Sequence, residues 1–166
     1  PEGAAALRGI TMEGPFFSMG KRGAQNPEHL RLPDAALFAR LQREAAGLIR
    51  IACIAPELPG ALDCIRTVAA EGVKVSLAHT EADYDTASAA FDAGAAHVTH
   101  LFNAMPPLLH RAPGVIGAAS ERETVTAELI ADGIHVHPSA VRAAFRLFPG
   151  RVCLVSDALS ACGMPE

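Results

Sequence analysis

The sequence predicts an α/β fold of the (β/α)8 barrel kind, with about six of the βα units carried by these 166 residues. Three observations carry that expectation. Short apolar, β-branched runs alternate with amphipathic helical patterns, the rhythm of a parallel sheet covered by helices. No GxGxxG follows the first run and no Walker A motif occurs, so the usual marks of a doubly wound nucleotide-binding sheet are missing. Polar residues capable of chemistry (Glu13, His79, His100, Asp132 with His135, and Asp157) fall at or just past the C-terminal ends of the runs. A barrel builds its active site on that face.

The strands are expected at 7–12, 48–55, 73–78, 95–101, 124–131 and 152–156. Between them, 34–46 reads as a helix because Leu37, Phe38, Leu41 and Ala45 share one face. The spacing predicts a second helix over 59–71, with Pro59 in its first turn and Gly72 as its stop. A third covers 83–93 and ends at Gly94; a fourth covers 138–147 and ends at Pro149-Gly150. The loops after the first and fourth strands are long and hold six of the 12 Pro and both Asn.

Composition narrows the function classes. Half of the chain is apolar and only 19% is charged, enough for one domain with a real core. A net charge of −4 and a pI near 6.0 argue against a nucleic-acid partner. No apolar run approaches the roughly 18 residues of a membrane span. The start, Pro1-Glu2-Gly3, has neither the charged n-region nor the apolar core of a signal peptide. Cys53, Cys64, Cys153 and Cys162 show no metal-type spacing and read as reduced, mostly buried thiols of a cytoplasmic protein. Both ends read as cuts within a longer polypeptide.

Two histidines at the ends of neighbouring strands, His79 and His100, are either core residues or a metal-binding pair. Glu13, between an apolar run and a Gly-Pro turn, is either a third ligand or a buried acid tied to a lysine or to backbone amides. Together they make two imidazoles and a carboxylate with one position left for water, the composition of a hydrolytic metal site. His97 does not share the face of His100 by simple alternation and reads as structural or supporting. Asp157 is either the N-cap of a following helix or a general base beside the attacking water. His135 can reach a substrate carbonyl, whereas His137, next to Pro138, belongs to the helix start. Arg111, in a long loop, can clamp an anion such as phosphate. The Gly-rich segment 20–27 is an anion or sugar loop, or else a solvated turn.

These segments resemble a known family. Met-Glu-Gly-Pro-Phe at 12–16, Lys-Arg-Gly-Ala-Gln-Asn-Pro at 21–27 and Ala-His-Thr at 78–80 are similar to those of the N-acetylglucosamine-6-phosphate deacetylases, which are metal-dependent amidohydrolases. So are Thr-His-Leu-Phe-Asn-Ala-Met at 99–105, Ile-Ala-Asp-Gly-Ile-His-Val at 130–136 and Val-Ser-Asp-Ala at 155–158, in the family's order. The resemblance implies that 1–166 is part of the catalytic (β/α) barrel, with the barrel start and a small β domain lying outside the chain. It implies Glu13, His79 and His100 as ligands of one divalent metal, zinc or iron. Asp157 would be the acid/base and His135 the contact to the acetamide carbonyl. Asn103 and Ala104 would bind substrate, and Ala24 and Gln25 would line the sugar site. Arg111 would reach the phosphate, from the neighbouring subunit of a homodimer. The implied reaction yields glucosamine 6-phosphate and acetate.

The sequence departs from many relatives at Thr11 and Gln25, where they carry His. The HxH metal motif of many amidohydrolases lies outside the chain, so one metal is expected. The alternatives are a related amidohydrolase acting on another N-acetyl sugar or a cyclic amide, and a non-catalytic sugar-phosphate-binding fragment.

Overall fold

A computed structural model describes residues 6–159 and 162–163; both chain ends, 1–5 and 164–166, lie outside the described residues. Six strands form one sheet: β1 (Ile10–Phe16), β2 (Ile49–Ile54), β3 (Lys74–Leu77), β4 (Ala95–Val98), β5 (Thr126–Ile130) and β6 (Val152–Val155). They lie in sequence order, every neighbouring pair is parallel, and the sheet curls into part of a barrel. Helices α1 (Ala35–Glu44), α2 (Ala61–Ala70), α3 (Tyr84–Asp92), α4 (Gly114–Ser120) and α5 (Pro138–Leu147) occupy the five crossovers. Among the described residues, no helix is long and apolar enough to cross a membrane.

The pleat divides the strand residues between two environments. Val75, Leu77, Val98, Ala127 and Leu129 join the main core with Ile65 and Val68 of α2, Phe91 of α3, Val115 and Ile116 of α4 and Ala144 of α5. Small residues let the layers close: a Cβ on Gly94, whose φ is +117°, would stand 2.9 Å from the Cβ of Ala69. Cys53 and Ala78 belong to a separate cluster with Phe17. Near them the interior is polar: the Thr99 hydroxyl lies 2.7 Å from Ser76 Oγ and 3.4 Å from Cys53 Sγ. Burial pushes the Cys53 thiol up to about 12, so it stays neutral.

The helix caps follow the sequence. Asp34 accepts from the amides of Ala36 and Leu37, and Asp83 from that of Thr86. His137 accepts from the Ser139 amide as the N-cap of α5, the helix-start place expected of it.

Three expectations need correction. The first strand lies later than 7–12: Leu7 is exposed, and Glu13 sits inside β1 where its register to β2 shifts between Met12 and Phe16. The fourth strand stops at Val98 rather than residue 101, because positive φ at His100 and Phe102 breaks the ladder. Of the thiols, Cys53 and Cys64 are buried, while Cys153 and Cys162 are exposed. Helix α4 had no expectation, since six of its seven residues are buried and no amphipathic period marks it.

Candidate metal centre

Glu13, His79 and His100 bring one ligand atom each to within 4.8 Å of one another, the one such group found among the described residues. Glu13 Oε1 stands 3.0 Å from His79 Nε2 and 3.8 Å from His100 Nε2, and the two Nε2 atoms are 3.0 Å apart. Both imidazoles are buried, and Glu13 is half-buried.

The strand ends turn sharply to aim these groups. His79, His100 and Asp157 have φ of +46°, +35° and +50°. Left-handed backbone costs an L-residue roughly 1–2 kcal/mol, so three such residues at three strand ends mark a region held in place by its surroundings. The turn continues through Phe102 and Ala104, at +78° and +50°. The Ala104 carbonyl there accepts from the Thr80 amide at 3.0 Å, tying the His100 turn to the His79 turn.

His79 is fixed on several sides. Its Nδ1–H donates to the Lys21 carbonyl at 2.7 Å, so its Nε2 carries a lone pair directed at the cluster. Phe17 stacks on the ring with centroids 4.3 Å apart. Gly23, at φ +58°, lies so close that a Cβ would sit 3.4 Å from His79 Cε1. The segment 20–27 therefore orients a histidine with its backbone. His100 Nδ1 is buried and has no hydrogen-bond partner among the described residues.

The electrostatics suit a cation. Attraction to His100 and then to His79 holds the Glu13 carboxyl down at about 2, against its partial burial. Burial alone would disfavour a charged His100, but Glu13 outweighs it and raises its pKa. With the proton of each neutral imidazole on Nδ1, the two Nε2 lone pairs and the carboxylate would face one another as acceptors. A proton can relieve that arrangement for the metal-free protein. A divalent ion with nitrogen and oxygen ligands satisfies all three.

A cavity of about 480 Å³ opens over this centre. Ala24 and Gln25 line it from the β1 loop, Asn103 and Ala104 from the β4 loop, and His135 and Asp157 from the loops after β5 and β6. Asp132 orients His135: it lies 2.7 Å from His135 Nδ1 and accepts from the amides of Ile134 and His135, which holds its carboxyl at about 2. Arg111 is not brought there; it lines a separate depression with Asp83, Tyr84 and Asp85. His97 also stays apart, buried between Thr126 Oγ1 at 2.7 Å and Glu128 Oε1 at 3.1 Å. Phe17 and Leu159 lie outside every segment singled out in the sequence, and Gly23, Ile130 and Ala158 fall within such segments without an expected role of their own.

No protein-family model matches the chain. The chain is 46% identical over 164 residues to N-acetylglucosamine-6-phosphate deacetylase of Bacillus subtilis (strain 168), covering 98% of itself and 41% of that protein. It is 39% identical over 162 residues to N-acetylgalactosamine-6-phosphate deacetylase of Escherichia coli O157:H7, covering 98% and 43%. A solved structure of an Asp-to-Ala variant of the Mycobacterium smegmatis N-acetyl-D-glucosamine-6-phosphate deacetylase, in complex with N-acetyl-D-glucosamine-6-phosphate, superposes with a TM-score of 0.91 at 42% identity. That match covers 95% of this chain and 42% of the other. Over nearly its whole length the chain is thus a relative, in sequence and in fold, of the N-acetylglucosamine-6-phosphate deacetylases, of which it spans about two fifths.

Proposed function

We propose that the chain carries the metal centre and much of the substrate pocket of an N-acetylglucosamine-6-phosphate deacetylase, which hydrolyses the acetamide to glucosamine 6-phosphate and acetate. The observation that carries this reading is the convergence of Glu13, His79 and His100 beneath a cavity that Asp157 and His135 also line. Two imidazoles and a carboxylate suit zinc or ferrous iron better than magnesium, which prefers an all-oxygen shell.

A bound divalent ion would acidify the attacking water and polarise the acetamide carbonyl. Asp157 takes the proton from that water as it attacks and returns it to the departing amine. His135, its Nδ1–H engaged by Asp132, in its protonated form donates from Nε2 to the oxygen on which charge develops. Asn103, Gln25 and the backbone of Ala24 and Ala104 hold the sugar over the metal. Arg111 lies outside the cavity, so as a phosphate ligand it serves a neighbouring subunit, and the active form is a homodimer. Free cysteines accord with the proposed cytoplasmic setting.

A second reading keeps this machinery and changes the epimer, because one relative is named for N-acetylgalactosamine 6-phosphate. Metal analysis combined with acetate release from both phosphosugars and from unphosphorylated N-acetylglucosamine tests the proposal. One tightly held metal and preference for a phosphosugar support it. Stoichiometric metal without hydrolysis of any of the three leaves only a binding role, and absence of metal overturns the reading.

A further inference from the structure

The strand between the two ligand-bearing strands β1 and β3 supplies no ligand, but its loop reaches across to the His79 turn. Glu57, three residues beyond β2, uses both carboxylate oxygens on the two residues that follow His79. Oε2 accepts from the Thr80 hydroxyl at 2.5 Å, and Oε1 accepts from the Glu81 amide at 2.6 Å. The same Thr80 oxygen accepts from the Ala82 amide at 2.9 Å, closing the turn. Upstream, the His79 carbonyl accepts from the Ser18 amide at 3.0 Å. His79 thus holds a left-handed backbone between anchors on both sides, and on its C-terminal side the Glu57 carboxylate works beside the Ala104 carbonyl, which accepts from the Thr80 amide at 3.0 Å.

We propose that Glu57 is a positioning residue for His79: its carboxylate clamps Thr80 and Glu81 so that His79 Nε2 faces Glu13 and His100. The proposal rests on the reading of those three residues as metal ligands. A carboxylate suits the place because two donors converge on it and it has acceptors for both. Glutamine keeps one acceptor and turns an N–H toward Thr80. The Thr80 oxygen already accepts from Ala82, and its own hydroxyl proton would lose its partner.

Cobalt(II) titration of E57A, E57Q and wild-type protein, followed by the visible ligand-field bands, tests this. Groups that orient a metal ligand typically contribute 10–100-fold to affinity. E57A should bind cobalt at least about tenfold more weakly with a shifted band, and E57Q should fall between E57A and wild type. Should E57A fail to fold, E57Q and T80V carry the same comparison. A second measurement needs no metal. Long-range 1H–15N spectra of the metal-free protein report the His79 tautomer, and hydrogen exchange reports the Glu81 amide. Both should loosen in E57Q. Wild-type affinity and band position in every folded variant, or an unchanged His79 tautomer and Glu81 protection, would overturn the clamp. If wild-type protein takes no cobalt while His79 loosens in E57Q, the clamp stands and the metal reading falls.

Discussion

Removing the metal should lower stability by an amount that grows with pH, and the sign follows from Glu13 and His100. An ion held at a hundred times its Kd stabilises the folded chain by about 2.7 kcal/mol. For a chain of this size that is a shift of roughly 5–11 °C in Tm. The Glu13 carboxyl, at about 2, stays ionised throughout the neutral range and does not compete with metal. The His100 imidazole does compete, because Glu13 raises its pKa above the ordinary value near 6.5 despite burial. In metal-free protein a raised folded pKa contributes stability that is fully present below the unfolded value. That contribution is lost as pH rises through the folded value. Metal binding has the opposite dependence, since it must expel the His100 proton and gains up to tenfold in affinity per pH unit until that proton is gone. The gap between zinc-loaded and EDTA-treated protein should therefore widen from about pH 6 to about pH 8. Scanning calorimetry at fixed zinc, with magnesium as the oxygen-preferring control, measures it. A gap that stays flat across this range, or one that magnesium reproduces, would refute the argument.

Three substitutions probe the surroundings of the centre. Asp157→Asn should keep metal content while lowering kcat by about 10²–10⁴-fold, the usual contribution of a general acid or base; acetate-release kinetics on metal-quantified protein decide it. Gly23→Ala places a Cβ 3.4 Å from His79 Cε1 on a backbone at φ +58°. It should cost about 1 kcal/mol or more and weaken zinc binding, read by urea melts and by competition with a chromogenic chelator. Thr99→Val keeps the shape but leaves the fully buried Ser76 hydroxyl without its 2.7 Å partner. It should cost about 2 kcal/mol, seen as a drop in Tm of roughly 4–8 °C with little change in metal affinity.

The barrel rhythm was legible because its signals are local. Val75 and Leu77 alternate with Lys74 and Ser76, and Asp34 and Asp83 announce helix starts within one turn of sequence. Helix α4 was illegible for the opposite reason: a helix buried nearly all round loses the polar face that makes periodicity visible. The end of β4 was misplaced because Leu101 and Met105 are as buried as strand residues while the backbone around them has already turned. Side-chain chemistry drew attention to His79, His100 and Glu13. It said nothing of Glu57, whose work is done on a neighbouring turn.

That contrast follows from how the site is stabilised. Left-handed backbone at His79, His100 and Asp157 costs roughly 3–6 kcal/mol in all, comparable to much of a domain's net stability. A coil searching its own local minima would not choose those conformations. At His79 the conformation persists because groups distant in sequence hold its turn: the Lys21 carbonyl and Phe17 ring on His79, the Glu57 carboxylate on Thr80 and Glu81, and the Ala104 carbonyl on the Thr80 amide. Each of these reaches another loop, and none leaves a motif at the position it constrains. Candidate ligands can be read from residue type and spacing, since metal chemistry admits few side chains. The geometry that aims these three side chains at one point is dispersed over the β1, β2 and β4 loops, where hydrogen-bond partners are set by the curled sheet.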